Sequence, residues 1–208
     1  MKTILVVNSK GGCGKTTLAT NLAVAFARRG DAVALADADR QKSSIAWVKR
    51  RDKSKPGIVS LNWSKVENIG EDKNKDLDVI VIDGPGGLRS ELAKTLIAEA
   101  SEIVVPVLPS VFDWDATFKF LDAISELKRV RKGKAEIHLV ANRVNRRSTQ
   151  IADLEDELAK RGYPVLCRIA DRVVYAKHAA HGEGIFDFAD ASSRDMRSQW
   201  HTLLQALD

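Results

Sequence analysis

A glycine-rich segment near the start of the chain constrains the fold more than any other feature. Residues 11–16 read Gly-Gly-Cys-Gly-Lys-Thr, and they lie between an apolar run at 4–8 and a helical pattern at 16–29. Glycines let backbone N–H groups turn inward around an anion without Cβ clashes, and the positive dipole end of the following helix points at the same anion. The segment therefore predicts a strand, a phosphate-binding loop and a helix, in that order.

The side chains that follow the last glycine fit a nucleotide with its metal. Lys15 is expected to reach the β- and γ-phosphates, and the Thr16 hydroxyl to ligate Mg²⁺. The alternative is a glycine-rich turn with an incidental lysine. The predicted nucleotide-binding residues of the loop are Gly11, Gly12, Cys13, Gly14, Lys15, Thr16 and Thr17.

Short β-branched runs alternate with helical patterns along the whole chain. The runs predict strands at residues 4–8, 32–36, 79–82, 103–108, 137–141 and 165–169, with a further short strand at 58–61. The patterns between them predict helices at residues 16–29, 88–100, 116–131, 149–161 and 194–207. The strands are almost continuously apolar, as in sheets that are covered on both faces. We therefore predict the α/β class, with a mainly parallel, twisted sheet and helices on both faces.

Size and composition set further bounds. A length of 208 residues fits one domain spanning 1–208, without a helix-turn-helix extension because the first strand starts at residue 2. Two cysteines cannot form a disulfide framework, which favours the reducing cytoplasm. No window approaches the roughly 18 apolar residues of a membrane span. A net charge of +5 indicates an acidic partner without identifying it.

A second lysine makes the loop more specific. Lys10 directly precedes the first glycine, too early to repeat the work of Lys15 on the same nucleotide. The loop resembles that of the ParA/MinD family of deviant-Walker P-loop ATPases, which reads Lys-Gly-Gly-x-Gly-Lys-Thr/Ser. The resemblance implies a P-loop NTPase fold, with ATP and Mg²⁺ as cofactors and a homodimer in the ATP state. It also implies that Lys10 crosses the dimer interface to the partner's phosphates.

Residues 37–41, at the end of a predicted strand, read Asp-Ala-Asp-Arg-Gln. They resemble the family's Asp-x-Asp-Pro-Gln segment, which implies that Asp39 orients or activates the attacking water. The resemblance also implies that Asp37 supports Mg²⁺ and a switch loop. Arg40 stands where the family has proline. The alternative is that both carboxylates only end a strand and cap a helix.

Two more residues follow predicted strands. Asp83 ends an apolar run and is followed by a Gly/Pro segment, which resembles a Walker B strand and implies a magnesium site beside Thr16. The alternative is a buried strand-end aspartate without a metal. Asn142 resembles the position from which MinD-like members hydrogen-bond adenine, and the alternative is that it only caps a turn.

Basic residues towards the end of the chain fit a polyanionic partner. The stretch 128–147 contains eight of them against one glutamate. Such side chains contact phosphates without reading bases, which favours non-specific DNA of the nucleoid over a solvated basic face. An apolar stripe at the C-terminus is predicted to dock onto the sheet, which makes a membrane partner the less favoured alternative. The candidate DNA-binding residues are Arg146, Arg147, Arg168, Arg172, Lys177, Arg194 and Arg197.

These features together predict a cytoplasmic, nucleoid-associated ATPase of the ParA type. It would dimerise on ATP, bind non-specific DNA and partition plasmid or chromosome DNA, and a ParB-like or other adaptor would stimulate hydrolysis. The main alternative is a positioning ATPase for a protein cargo such as a carboxysome or a chemoreceptor cluster. A MinD-like membrane-bound ATPase, a metabolic P-loop synthetase and a non-hydrolysing scaffold are further alternatives.

Overall fold

The sheet is the centre of the fold. A computed structural model describes residues 1–70, 76–86, 91–145 and 150–208, with all of their side chains except those of 111–113. In this part of the chain, seven strands form one sheet in which every neighbouring pair is parallel. The strands are β1 (Lys2–Asn8), β2 (Val33–Asp37), β3 (Val59–Asn62), β4 (Val79–Gly86), β5 (Glu102–Val107), β6 (Glu136–Val144) and β7 (Val165–Ala170).

The strand order is β3-β2-β4-β1-β5-β6-β7. All six main predicted strands and the short strand at 58–61 are present, which confirms the predicted α/β class and the parallel sheet. The central strand β1 has β4 on one side and β5 on the other, so the chain order changes direction beside it. Ligands of open parallel sheets bind beyond the carboxyl ends of the strands at such a switch point.

Helices connect the strands. They are α1 (Lys15–Arg29), α2 (Ser43–Arg50), α3 (Glu91–Glu99), α4 (Val111–Ser125), α5 (Lys128–Arg131), α6 (Gln150–Lys160), α7 (Val173–Ala179), α8 (Ala191–Ser198) and α9 (His201–Ala206). Short 3₁₀ turns lie at Val66–Asn68 and Ile185–Asp187. The helix α1 ends at Gly30, whose φ of 100° and N–H bond to the Ala27 carbonyl form a left-handed cap.

The predicted helices differ from the observed ones in three respects. The pattern at 116–131 is two helices, because Leu127 has an extended backbone (ψ 135°) between α4 and α5. The pattern at 194–207 is likewise divided into α8 and α9. The helices α2 and α7 were not predicted at all. Residues 88–90 and 149, at the starts of two predicted helices, lie outside the described residues.

Two apolar layers cover the sheet. Alternate residues of β1 face opposite sides, with Leu5 in one layer and Ile4 in the other. Leu96 of α3, Leu121 of α4 and Leu154 of α6 join the first layer. The helices α1, α8 and α9 join the second. The helices therefore lie on both faces, as the near-continuous apolar strands predicted.

The C-terminal stripe is part of the second layer. Trp200, Leu203 and Leu207 are each 0% exposed, and the Trp200 indole N–H donates to the Tyr175 hydroxyl at 3.1 Å. The predicted docking of this stripe onto the sheet is therefore confirmed. None of the described helices is both long enough and apolar enough to pass through a bilayer.

Candidate functional site

The glycine-rich loop runs from the end of β1 to the start of α1, as predicted. Asn8 holds its start, because the side-chain amide donates to the Pro106 carbonyl at 2.7 Å and its oxygen accepts from the Lys10 N–H at 3.2 Å. Gly12 and Gly14 have φ values of 74° and 93°, in the left-handed region that favours glycine. The backbone itself therefore requires glycine at these two positions.

The other loop side chains fix its shape from within. The Lys15 ammonium donates to the Lys10 carbonyl at 3.2 Å, and the Cys13 thiol contacts the same oxygen at 3.1 Å. Cys13 is 1% exposed, so its thiol faces the protein interior. Lys10 is half-buried, and its predicted reach into a second protomer stays a prediction.

A contact from a remote strand completes the loop. The amide nitrogen of Asn142, at the carboxyl end of β6, donates to the Cys13 carbonyl at 2.7 Å in a buried hydrogen bond. A Cβ on Gly14 would lie 2.1 Å from that nitrogen, so Gly14 is required for space as well as for its backbone angles. The neighbouring Arg143 donates to the Gly12 carbonyl at 3.2 Å. Asn142 therefore supports the loop, while its predicted contact with adenine stays a prediction.

Asp83 is the best candidate for holding a cation. The register places it opposite Asp37 of β2 and opposite Val6 of β1. It is 1% exposed, and its Oδ2 atom accepts no hydrogen bond. Burial raises the pKa of Asp83 to about 7, a hydrogen bond from Thr16 opposes this, and the charge of Asp37 adds to it.

An unpartnered buried carboxylate oxygen beside a threonine hydroxyl fits a hard divalent cation with oxygen ligands. The residues here therefore fit the predicted Mg²⁺ site, with Asp83 and Thr16 as the groups that would hold the ion.

Asp37 organises the loop that follows β2. Its Oδ1 atom accepts from the Asp39 N–H at 3.0 Å, and its Oδ2 atom accepts from the N–H groups of Ser44 and Ile45 at 2.9 and 3.0 Å. The carboxylate therefore caps α2 from seven residues before Ser44, and the capping alternative describes Asp37 well. Its predicted support of Mg²⁺ is a separate role that these bonds leave as a prediction.

Asp39 faces the cavity above the glycine-rich loop. It is half-buried, and its Oδ1 atom accepts from the Gln41 N–H at 3.0 Å. Arg40, which stands in place of the family's proline, is exposed. The position of Asp39 at the cavity wall suits a group that orients a water molecule, a role that stays a prediction.

The loop and the strand ends enclose a cavity of about 510 Å³. Part of its wall was not predicted to belong to the nucleotide site, and this part is formed by Arg143, Asp171, Arg172 and Tyr175. Arg143 lies at the carboxyl end of β6, Asp171 and Arg172 follow β7, and Tyr175 belongs to α7. The carboxyl-end position of both strands was therefore the available signal. The residues that line the cavity are Gly11, Gly12, Gly14, Lys15, Thr16, Thr17, Asp39, Gln41, Ser43, Asp83, Gly84, Gly86, Asn142, Arg143, Ala170, Asp171, Arg172, Tyr175, Ala176 and Ala179.

The candidate DNA-binding residues do not share one environment. Arg168 forms a two-point ion pair with Glu155, and its Nε atom lies 2.6 Å from the Glu155 Oε1 atom. Arg172 lines the nucleotide cavity. Lys177 and Arg194 are exposed, and Arg197 is half-buried. Arg146 and Arg147 lie outside the described residues.

The basic stretch 128–147 is divided by a strand. Lys128 and Lys134 precede β6, whereas Arg143 lies near its carboxyl end. At about 3.3 Å per residue, the seven steps from residue 136 to residue 143 separate the two groups by roughly 23 Å. The described basic residues of this stretch therefore do not form a single patch, because β6 separates those before the strand from Arg143 near its carboxyl end.

The fold and the site match a known family of nucleotide-binding proteins. Residues 4–185 match the model of the CobQ/CobB/MinD/ParA nucleotide binding domain, and the chain belongs to this family. This confirms the predicted relationship to ParA and MinD.

Three individual proteins show how similar this chain is to members of the family. The chain is 32% identical over 189 residues to Maintenance of carboxysome distribution protein A from Halothiobacillus neapolitanus, which covers 88% of this chain and 86% of the relative. Apo McdA from Cyanthece has the same fold, with a TM-score of 0.79, 15% identity and 100% of each chain covered. The septum site-determining protein MinD from Pyrococcus horikoshii OT3, complexed with Mg-ADP, has a TM-score of 0.71 and 20% identity over 94% of this chain and 92% of that chain.

Proposed function

We propose that this chain is an ATP-dependent positioning ATPase whose cargo is a protein assembly of the carboxysome kind. The observation that carries the proposal is the 32% identity to a carboxysome distribution protein across 88% of the chain, together with the intact phosphate loop. The sequence alone favours plasmid or chromosome partition. The protein-cargo alternative has the better support, because this relative is matched over most of both chains.

The loop geometry supports ATP as the nucleotide. Gly12 and Gly14 have left-handed backbone angles, which suit a loop whose N–H groups surround a phosphate, and α1 begins at Lys15 directly after them. The ammonium of Lys15 exchanges its bond to the Lys10 carbonyl for the phosphate oxygens, which carry more charge. The start of α1 adds the favourable end of its dipole.

Asp83 and Thr16 would hold Mg²⁺ at this site. When bound, the ion neutralises charge on the β- and γ-phosphates. Asp83 must be ionised to serve, and the positive charge of Lys15 already favours the ionised form. Asp37 acts on the site indirectly, because its carboxylate accepts hydrogen bonds from the N–H groups of Asp39, Ser44 and Ile45.

Hydrolysis then requires a water molecule in line with the terminal phosphate. Asp39 lines the cavity beside the loop, and its carboxylate orients this water and accepts its proton. Lys10 supplies a second positive charge to the partner protomer's phosphates in the ATP-bound homodimer. An adaptor protein that completes the site is proposed to set the rate of hydrolysis.

The dimer binds non-specific DNA, so that in the cytoplasm it is associated with the nucleoid. Arg168 and Arg172 are exposed too, but the first is paired with Glu155 and the second lines the cavity. Lys177 and Arg194 are therefore the exposed candidates that we assign to phosphate contacts. Arg168 is an internal control, because Glu155 already neutralises it. The double variant Lys177→Ala/Arg194→Ala should weaken ATP-dependent binding to random duplex DNA and flatten its salt dependence, whereas Arg168→Ala should change it little. Equal binding by the double variant and the parent chain would remove these residues from the DNA surface.

The cargo is tested by deleting the gene in its host. We expect protein microcompartments to cluster or lose their even spacing under the light microscope, while plasmids are retained normally. An Asp39→Ala chain at native expression should reproduce the deletion, because a dimer that cannot hydrolyse ATP cannot cycle. Plasmid loss with normally spaced protein assemblies would contradict the proposed cargo and favour DNA partition.

A further inference from the structure

Three side chains meet at the amino ends of β5 and β6, on the sheet edge opposite the nucleotide cavity. Glu102 lies directly opposite Glu136 in the parallel register, and His138 follows two residues later on the same face of β6. The cluster offers one ligand atom from each side chain, and these atoms all lie within 4.8 Å of one another.

The charges of this cluster are poorly compensated by the protein itself. His138 is 8% exposed, and its Nε2 atom lies 2.7 Å from the Glu102 Oε2 atom. Among the residues that the structure describes, no lysine or arginine forms an ion pair with Glu102 or Glu136. Like charges directly opposite each other in neighbouring strands destabilise the pairing. A bound cation would convert this repulsion into two attractions.

We propose that Glu102, Glu136 and His138 bind a divalent transition-metal ion of the Zn²⁺ type. One imidazole nitrogen with two carboxylate oxygens is a donor set that zinc and its neighbours accept, whereas Mg²⁺ and Ca²⁺ prefer oxygen alone. The ion would lie between His138 Nε2 and Glu102 Oε2, and it would replace the direct contact between these two atoms. Glu136 then closes the site from the solvent side, since it is the exposed member of the three.

The backbone around the cluster is fixed before any ion binds. The residue before β5, Ser101, is bound to Thr3 of β1 on both sides, with its hydroxyl accepting from the Thr3 N–H and donating to the Thr3 carbonyl, each at 3.1 Å. The Glu136 N–H donates to the Ser101 carbonyl at 3.1 Å. The ligands thus stand on the first residues of two mutually bonded strands, and few degrees of freedom are lost on binding. The ion would cross-link β5 to β6 without touching the nucleotide site.

Zinc titration of the full chain tests the site. The protein is stripped with EDTA, exchanged into metal-free buffer at about pH 7.5 and kept in excess Mg²⁺ and ADP, so that the nucleotide cavity does not compete for zinc. Isothermal titration with Zn²⁺ should show one equivalent bound. Glu136→Gln should lower the zinc affinity by at least about tenfold, because it removes a ligand from an exposed position that folding does not need. Co²⁺ should give a visible absorption band that His138→Gln abolishes.

The matched control is Glu126→Gln, an exposed glutamate between α4 and α5. It should bind zinc as the parent chain does. The proposal is overturned if the parent chain binds zinc more weakly than about 100 μM under these conditions. It is equally overturned if Glu136→Gln retains the parent affinity, or if Glu126→Gln loses as much affinity as Glu136→Gln. Circular dichroism of each variant separates a lost ligand from a lost fold.

Discussion

Asp83→Asn tests how much free energy the protein spends on a buried carboxylate. Burial raises the pKa of Asp83 from its ordinary value of 3.8 to about 7. Because the pKa is raised on folding, this group's contribution to stability is fully present below about pH 4 and is lost as the pH rises through about 7. Three pKa units at about 1.36 kcal/mol each correspond to a loss of about 4 kcal/mol at pH 8.

The amide that replaces the carboxyl group in this variant has the same shape but cannot ionise. Asp83→Asn should therefore recover most of that free energy in metal-free protein at about pH 8. Part of the gain is offset by an unpaired atom of the new amide. In the parent chain Oδ2 accepts no hydrogen bond, so the amide atom that replaces it is also unpaired. An unpaired buried polar atom costs about 1–3 kcal/mol. The net expectation is a variant more stable by about 1–3 kcal/mol at this pH, with the advantage gone near pH 4 because the parent carboxyl is then protonated.

Urea denaturation in EDTA measures this difference directly. The parent chain, Asp83→Asn and the exposed control Asp122→Asn are compared at about pH 4.5 and pH 8, where the two-state free energies can be read from the midpoints. The control should follow the parent at both values. A variant that is equally stable or less stable than the parent at the higher pH would refute the reasoning, because Asp83 would then carry no uncompensated charge.

Addition of Mg²⁺ and nucleotide should reverse the order of stability. The parent chain gains the binding free energy of a ligand that only the folded state holds, and Asp83→Asn gains much less. Since the ion requires the ionised carboxylate, Mg²⁺ affinity of the parent should fall as the pH decreases below about 7. A thermal melt with and without Mg²⁺ and ADP at two pH values shows both effects.

Four further substitutions address other parts of the molecule. Gly14→Ala should lower ADP affinity at least about tenfold by calorimetry while the fold persists, because a left-handed backbone alone costs about 1–2 kcal/mol per residue; parent-like affinity would contradict this. Lys10→Ala should bind nucleotide but form no ATP-dependent dimer by light scattering, and a normal dimer would remove its cross-interface role. Asp39→Ala should slow phosphate release about 100-fold with ATP still bound, and undiminished turnover would exclude it from the mechanism. Asp187→Ala should lower the free energy of unfolding by about 3–5 kcal/mol in urea, because it leaves Arg51 charged and buried; a loss below about 1 kcal/mol would contradict the pairing.

Strands and the phosphate loop could be predicted because their signals are local. The apolar run of β1 and the glycines that follow it lie within sixteen residues of the N-terminus. Gly12 and Gly14 adopt left-handed angles, which glycine permits at little cost, and these angles fit the predicted phosphate loop. Asp83 could be singled out as a candidate for the same reason, since it directly follows the apolar run at 79–82.

The helix α2 could not be predicted because its start signal comes from elsewhere in the chain. Its N-cap residue is Lys42, which has a φ of 54° and makes no side-chain cap. The cap comes instead from Asp37, seven residues before Ser44, and the helix buries only Ser44 and Trp47. A pattern search that looks for a local cap and an apolar stripe finds neither here.

Contacts between residues on distant strands of the sheet could not be predicted from the sequence either. The bond between Asn142 and the Cys13 carbonyl joins residues 129 positions apart, and the bond from Arg143 to Gly12 joins residues 131 apart. Arg172 was grouped with the DNA-binding candidates because only its charge was visible, whereas the fold brings it to the cavity wall. Charge could be read from the sequence, but the partner of each charge could not.

Contacts at both ends of the helix α2 connect it to other parts of the molecule. At its amino end, Asp37 holds the Ser44 N–H and leads into the loop that carries Asp39. Just past its carboxyl end, Arg51 forms a two-point ion pair with Asp187 at 2.8 and 3.0 Å, with side chains 4% and 0% exposed. Although burial raises the pKa of the Asp187 carboxyl, the bonds from Arg51 and from the Gly184 N–H outweigh it and hold the pKa below its usual value.

A second contact holds α2 near its carboxyl end. Arg51 also donates to the Gly182 carbonyl at 3.1 Å, and a Cβ on Gly182 would lie 2.4 Å from the Arg51 nitrogen. This close approach fixes α2 against the segment that follows α7, and α7 itself lines part of the nucleotide cavity. If the loop between Asp37 and Asp39 moves with the state of the nucleotide, it must either carry α2 and that segment with it or break the Asp37 cap. The loop that carries Asp39 and the segment that follows α7 are therefore joined through α2 by the Asp37 cap and the Arg51 contacts.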